Sequence, residues 1–291
     1  MTDTRTKVLI LAAHGSMATD DANQPLFDLA DRISRRGRFD CVTPAFLNGQ
    51  PEMTSVFEEL EQQNILPGDA VIVPVMTSEV YYLKKLPEKF AANANADDFR
   101  IMMTPVIGVH PSIQQRINRR IDILLDQFQL NPDETTIALI GHGTRRNPNS
   151  GAATFKLAKA LEETMKPGLK IETGFLDQDP SIESIANKIQ SQNVLIMPFL
   201  VSRGPHTTVD VPEAFGLPVQ PGFTFPYACQ KADQFFVYDF PLALYPGMEE
   251  LCLETANEQL ADGSPLVLPV LATSNLAQSI SKTSSESGGN Q

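Results

Sequence analysis

The chain holds four histidines, His14, His110, His142 and His206. His14 and His142 each close a short apolar run and precede a glycine, in Ala-Ala-His-Gly-Ser and Ile-Gly-His-Gly-Thr, while His206 sits in a loop rich in Gly and Pro. Imidazole is a common ligand for divalent transition metals and a base that titrates near neutral pH. Two such rings at neighbouring strand ends could therefore serve one metal ion or one pair of protons. Asp177, just after Phe175-Leu176, could add a carboxylate to the same mouth. Arg145, Arg146 and Arg203 lie within four residues of His142 or His206. Their planar forks suit the gripping of carboxylates through two parallel charge-assisted hydrogen bonds. Taken singly, each of these histidines reads as an ordinary hydrogen-bonded residue, so the elements that position them decide the matter.

Those elements alternate between strand and helix. Thr136–Ile140 is a β-branched apolar run too short for a helix, and it stops at Gly141. Phe155, Ala158, Leu161 and Met165 recur at helical spacing, with Ser150 placed to cap that helix. Ile171–Leu176 reads as a strand, and Pro180 opens a helix with Ile182, Ile185 and Ile189 on one face. Val194–Val201 is a continuous apolar run, as expected of a strand buried on both faces of a parallel sheet. The fold class is α/β with parallel sheets. Such sheets bind ligands at the carboxyl ends of their strands, where His14, His110, His142, His206 and Asp177 all fall.

The chain also resembles itself. Val8–Ser16 recurs as Thr136–Thr144, Pro44–Leu60 as Thr173–Ile189, Ala70–Phe90 as Val194–Phe215 with one gap, and Pro105–Ile117 as Phe240–Cys252. Four blocks in one order indicate a tandem duplication, dividing the chain into residues 1–132, residues 133–271 and a polar tail, 272–291, with too few apolar side chains to order itself. One copy then serves as a control for the other. His142 is matched by His14, but His206 falls opposite Tyr81 or Tyr82, Asp177 opposite Asn48, and Asp210 opposite Lys84 or Lys85. The full set of titratable groups exists only in the second copy. His110, matched by Tyr245, reads as a packing residue at a sheet end.

With 23 Lys+Arg against 35 Asp+Glu in 291 residues, the net charge of −12 argues against a general nucleic-acid or anionic-membrane binder. Residues 1–132 carry 13 basic and 17 acidic side chains, residues 133–291 carry 10 and 18, so the half with the fuller site is the more acidic. Any anionic ligand must be met locally by the arginines. Three widely spaced cysteines, Cys41, Cys229 and Cys252, form no disulfide framework and read as core thiols in a reducing compartment. No apolar stretch reaches the roughly 18 residues of a membrane span, and no targeting signal opens the chain, so a cytoplasmic location is expected.

Leu139-Ile140-Gly141-His142-Gly143-Thr144-Arg145, then Phe175-Leu176-Asp177 before Pro180, then Met197-Pro198 through Ser202-Arg203-Gly204-Pro205-His206 to Asp210-Val211-Pro212, together resemble the class II tetrapyrrole chelatases. The CbiX-type sirohydrochlorin chelatases are the nearest subgroup, with the cobaltochelatase CbiK and protoporphyrin ferrochelatase more distant. The resemblance implies two similar three-layer α/β sandwich domains of flavodoxin-like topology, with an active-site cleft between them. It implies ATP-independent insertion of Co2+, Fe2+ or Ni2+ into a sirohydrochlorin-type ring for cobalamin or siroheme synthesis, with no cofactor beyond that metal substrate. His142 and His206 become the catalytic, metal-contacting pair. Asp177 stands where the family usually has Glu, one methylene longer. Arg145, Arg146, Arg203, Thr144, Ser202 and Gly204 are the implied substrate-binding set, with His14 and Tyr81 as secondary cleft residues. The implied partners are an anionic tetrapyrrole and a divalent ion, with neither nucleic acid nor membrane, on a monomer or homodimer. Two other readings of the same residues remain: a carrier that holds metal or tetrapyrrole without turnover, and a phosphatase with His142 as nucleophile.

Overall fold

The computed structural model describes residues 5–17, 22–78, 85–93, 95–145 and 151–266. Tyr81, Arg146, the capping position Ser150 and the tail from 272 lie outside them.

Eight residues of alternating facing begin the first sheet. In β1 (Thr6–Ala13), Val8, Ile10 and Ala12 turn to one side and Leu9, Leu11 and Ala13 to the other, all of them buried. A strand apolar on both faces needs cover on both, which is the pattern of a parallel sheet between helices. β1 pairs in parallel with β2 (Cys41–Phe46) and β3 (Gly68–Pro74), and β3 with β4 (Arg100–Met103), in the order β2-β1-β3-β4. The second sheet repeats this with β5 (Thr135–Gly141), β6 (Lys170–Phe175) and β7 (Asn193–Pro198). It then departs: β9 (Gln234–Tyr238) runs parallel to β7, and β8 (Tyr227–Lys231) is antiparallel to β9 at the edge, giving β6-β5-β7-β9-β8.

The outer face of the first sheet is covered by α2 (Val56–Gln62) and α3 (Leu86–Ala91), through Val56, Phe57, Leu60, Leu86 and Phe90. That of the second is covered by α6 (Ile182–Lys188) and α7 (Val211–Phe215), through Ile182, Ile185, Val211 and Phe215. Between the sheets, one continuous core joins Leu9 and Leu11 to Ile137 and Leu139 through α1 (Gln24–Ser34), α4 (Ser112–Phe128), α5 (Ala152–Glu162) and α8 (Met248–Asp262). Each fully buried Leu or Ile in it contributes roughly 1.5–3 kcal/mol.

The last helix of each copy crosses to the other sheet. α8 lies against β3, β4 and α1 of the first sheet, and Leu266 then donates its N–H to Ile101 of β4 at 2.7 Å. α4 is drawn to the second sheet by Arg120, whose guanidinium forks onto Asp239 just past β9 (Nη2–Oδ1 2.8 Å, Nε–Oδ2 3.1 Å), and by Phe128 against Phe235 (centroids 6.1 Å). Asp239 is fully buried, and burial pushes its carboxyl upward against the opposing pull of Arg120.

Several local expectations are corrected. β7 ends at Pro198 instead of running to Val201, because a proline has no N–H to continue the ladder. α6 starts at Ile182, capped by the Ser181 hydroxyl, which accepts from Ser184 N–H (3.2 Å); Pro180 only precedes it. The buried stripe of α5 is Thr154, Leu157, Ala158 and Leu161, so Phe155 stands 44% exposed, and Met165 lies past the helix end. Of the three free cysteines only Cys252 is a core thiol; Cys41 and Cys229 are half-buried in strands near sheet edges.

Candidate active site

All seven residues of β5 are buried, so the strand is a rigid post, and His142 is the first side chain past it to reach solvent. The loop around it is built on glycines. At Gly141 an added Cβ would lie 2.5 Å from Thr154 Oγ1; at Gly143, where φ is +65°, it would lie 2.6 Å from Gln178 Cβ and 3.0 Å from Phe175 Cβ. Both the left-handed backbone and the close approach exclude a side chain at 143. The His142 carbonyl accepts the Asp177 N–H (3.0 Å), tying the loop to the end of β6.

His206 comes from the next strand over. After β7 the chain returns as a π-helical turn, His206–Asp210, whose backbone is pinned from several sides. Buried Thr207 accepts from Gly204 N–H through its hydroxyl (3.0 Å), Thr208 Oγ1 donates to Gly204 O (3.0 Å), and the Tyr238 hydroxyl donates to Thr207 O (2.9 Å). Burial pushes the Tyr238 phenol upward, so it keeps the proton it donates.

These two posts bring the rings together: the His142 and His206 centroids are 5.0 Å apart, nearly perpendicular at 86°. Their protonation follows from their partners. Nδ1 of His142 is 2.8 Å from Gly143 O, and Nδ1 of His206 is 2.6 Å from Asp210 Oδ2. A carbonyl and a carboxylate only accept, so each Nδ1 carries the hydrogen and each Nε2 of the neutral rings keeps its lone pair for a metal or a proton.

The remaining candidates are distributed unevenly. Asp177 is exposed, and among the described residues no three His, Cys, Asp or Glu side chains gather closely enough to hold an ion, so its carboxylate does not complete a three-group cluster with the two rings. Arg145 is exposed beside His142 and Thr144 is half-buried. Arg203 is engaged within the protein: Nη2 donates to Phe223 O (2.6 Å) and its guanidinium lies 5.4 Å from the Phe223 ring and 5.8 Å from Phe225. It fastens the loop before His206 to the segment leading into β8. Ser202 is half-buried, its carbonyl accepting from Thr207 Oγ1 (3.2 Å), and nothing stands within 4 Å of a Cβ at Gly204. His14 is exposed at the end of β1, with Asn48 Nδ2 3.4 Å from its Nε2. His110 is buried far along the chain from the pair, bonded to Ser112 (2.8 Å) and to Glu258 of α8 (3.4 Å).

Asp210, one of the titratable groups that only the second copy carries, was given no role by the sequence; the structure sets its carboxylate on Nδ1 of His206. Its signal was present: it stands four residues after His206, one turn away.

The family model described as CbiX matches this chain twice, over residues 8–124 and 136–259. The chain belongs to the CbiX family. Among curated CbiX-like relatives, a probable sirohydrochlorin cobaltochelatase of Halobacterium salinarum is 26% identical over 228 residues, 71% of this chain and 76% of that one. A solved CbiX, described as the terminal enzyme for biosynthesis of siroheme in denitrifying bacteria, superposes with a TM-score of 0.64 at 21% identity, covering 87% of this chain and 98% of its own. DR2241 of Deinococcus radiodurans, a multi-domain protein with structural similarity to chelatases, gives 0.66 at 19% identity over 88% of this chain; this chain spans 55% of that longer protein. The two structures show that the fold is shared.

Proposed function

We propose that the protein inserts a divalent metal ion, Co2+, Fe2+ or Ni2+, into a sirohydrochlorin-type tetrapyrrole without ATP, using a site in the second repeat, residues 133–271. The observation that carries this reading is the perpendicular histidine pair, His142 and His206, each holding its hydrogen on Nδ1 and leaving Nε2 open. The cobaltochelatase and siroheme relatives of the family supply the substrate class.

The chemistry follows from that pair. Insertion exchanges two pyrrole N–H protons for one M2+, so the site needs a ligand that releases the ion and bases that accept protons near neutral pH. Two neutral imidazoles hold an ion less tightly than a thiolate or multi-carboxylate cage would, and each Nε2 that gives up metal becomes a proton acceptor. Arg145, on the same loop as His142, meets the peripheral carboxylates of the ring together with Arg146, while Arg203 acts chiefly by bracing the His206 loop. Thr144, Ser202 and Gly204 supply backbone and hydroxyl contacts, and Asp177 relays protons at the rim. Three free cysteines suit a reducing cytoplasm, and among the described residues no helix is long and apolar enough to cross a membrane.

Purified protein mixed with excess sirohydrochlorin and each of the three ions tests the proposal. Catalytic conversion, followed by the absorbance change of the ring, is the expected result. Stoichiometric retention of metal without conversion would establish a carrier instead, and vanadate-sensitive phosphate release would establish a phosphatase.

A further inference from the structure

The two imidazoles stand side by side with Nδ1 engaged in both, but they are backed differently. His142 donates to the carbonyl of its own neighbour, Gly143, a neutral acceptor. His206 donates to the carboxylate of Asp210 at 2.6 Å, and both ends of that bond are carried on one π-helical turn held by Thr207, Thr208 and Tyr238. We propose that Asp210 is a positioning residue that makes His206 the stronger of the two metal-facing imidazoles.

Two effects of the carboxylate act in one direction. An acceptor-only group on Nδ1 disfavours the neutral tautomer in which Nε2 carries the hydrogen, so the lone pair is kept on Nε2. Negative charge behind the ring also raises the basicity of Nε2 toward a metal ion, the way carboxylate–histidine pairs support ligands generally, where loss of the carboxylate costs about 10–100-fold in affinity. The Asp210 side chain is 43% exposed, so solvent screening places the effect at the lower end, about tenfold. Asp210 Oδ2 is engaged on Nδ1, not on the Nε2 that binds the ion, so Asp210 backs the ligand instead of joining it. The pair is therefore asymmetric: His206 anchors the ion, and His142 is the partner that lets go first.

The role in turnover rests on the chelatase reading; the role in binding does not, and the test separates them. Co2+ binding to the full-length protein is titrated without tetrapyrrole for the wild type, Asp210→Ala, Asp210→Asn, Asp210→Glu, His206→Ala and the double variant His206→Ala/Asp210→Ala. Asp210→Ala is expected to weaken Co2+ about tenfold. Asp210→Asn weakens it as well, because its amide N–H can donate to Nδ1 and drive the hydrogen onto Nε2. Asp210→Glu, which keeps the carboxylate, restores most of the affinity. In the His206→Ala background, removing Asp210 has no further effect. The proposal is overturned if the wild type does not bind Co2+, if Asp210→Ala binds it like the wild type, or if Asp210→Ala costs the same factor with and without His206. A wild type that shows the expected binding pattern but never metallates sirohydrochlorin would refute the chelatase reading and leave the assignment of Asp210 standing.

Discussion

His14 and His142 leave their strands in the same way. Each carbonyl accepts a backbone N–H from the end of the neighbouring strand, Asn48 at 2.8 Å in one case and Asp177 at 3.0 Å in the other. Each Nδ1 faces the carbonyl of the following glycine, at 3.0 and 2.8 Å, and Gly15 and Gly143 both sit at positive φ, +70° and +65°. Each glycine is crowded by the phenylalanine that ends the adjacent strand, Phe46 or Phe175. What differs is the side chains that stand beside the ring. His142 stands 5.0 Å, centroid to centroid, from a second imidazole carried by the loop after β7, whereas Asn48, which answers Asp177, sets its side-chain amide 3.4 Å from His14 Nε2, and an amide neither binds a transition metal well nor accepts a proton near neutral pH; the segment that answers His206 lies outside the described residues. The loop is a scaffold common to both halves, and the chemistry of the second half lies in the imidazole that the loop after β7 delivers to it.

The sharpest way to break this comparison is to exchange the histidines for alanine one at a time. His142→Ala or His206→Ala is expected to lower metal insertion by about 10²–10⁴-fold, the usual worth of a positioned acid–base group, with circular dichroism unchanged. His14→Ala should cost far less, and equal losses at His14 and His142 would show that both halves work. The crossed helices come next. Arg120→Ala leaves Asp239 buried without its counter-charge and should cost about 3–5 kcal/mol in denaturant unfolding. Thr255, the position that answers Arg120 in the other copy, bonds only within its own helix (Leu251 O, 2.8 Å), so Thr255→Val should cost about 1 kcal/mol or less. Gly143→Ala and Gly15→Ala should each destabilise by about 1–3 kcal/mol, since both force a side chain into a left-handed position against packed neighbours. Only Gly143→Ala should also slow insertion, because only there does the loop carry a working ring. The smallest effect concerns substrate recognition: Arg145→Gln should raise the tetrapyrrole KM more than it lowers kcat, while Arg203→Gln, which releases Phe223, should lower both Tm and kcat.

The parallel sheets and the outer helices were legible in the sequence because single residues carried the signal. Strands apolar on both faces, such as Val8–Ala13, leave no alternative to helices on either side. The pairing of His142 with His206 was legible through strand order, since β5 and β7 are neighbours and their ends open on one edge. The β8–β9 hairpin was not, because among the described residues it has no counterpart in the first copy and no residue of β8 is buried, so no apolar face marks the strand. Phe155 misled because one large side chain at helical spacing outweighs smaller neighbours, although the stripe that is buried falls on Thr154, Leu157, Ala158 and Leu161. Arg203 looked free because a sequence does not reveal that the segment around Phe223 folds back onto it. Asp210 was visible as a titratable group that the first copy lacks and by its spacing, and a carboxylate one turn from a histidine becomes meaningful once it is seen on the ring's Nδ1.

The crossing of α4 and α8 sets an order of events during synthesis. A duplicated chain with self-contained halves would let the first fold while the second is still being made. Here the inner face of the first sheet is closed by α8, whose last residue is Asp262, while that sheet's last strand ends at Met103. At ~5–20 residues per second, the intervening stretch of roughly 160 residues takes about 8–30 s to emerge, and for that time the nascent first half presents Leu9, Leu11, Val71 and Val73 with only α1 to shield them. The protein closes its first core last, and a ribosome that stops before residue 248 releases a chain with an open hydrophobic face.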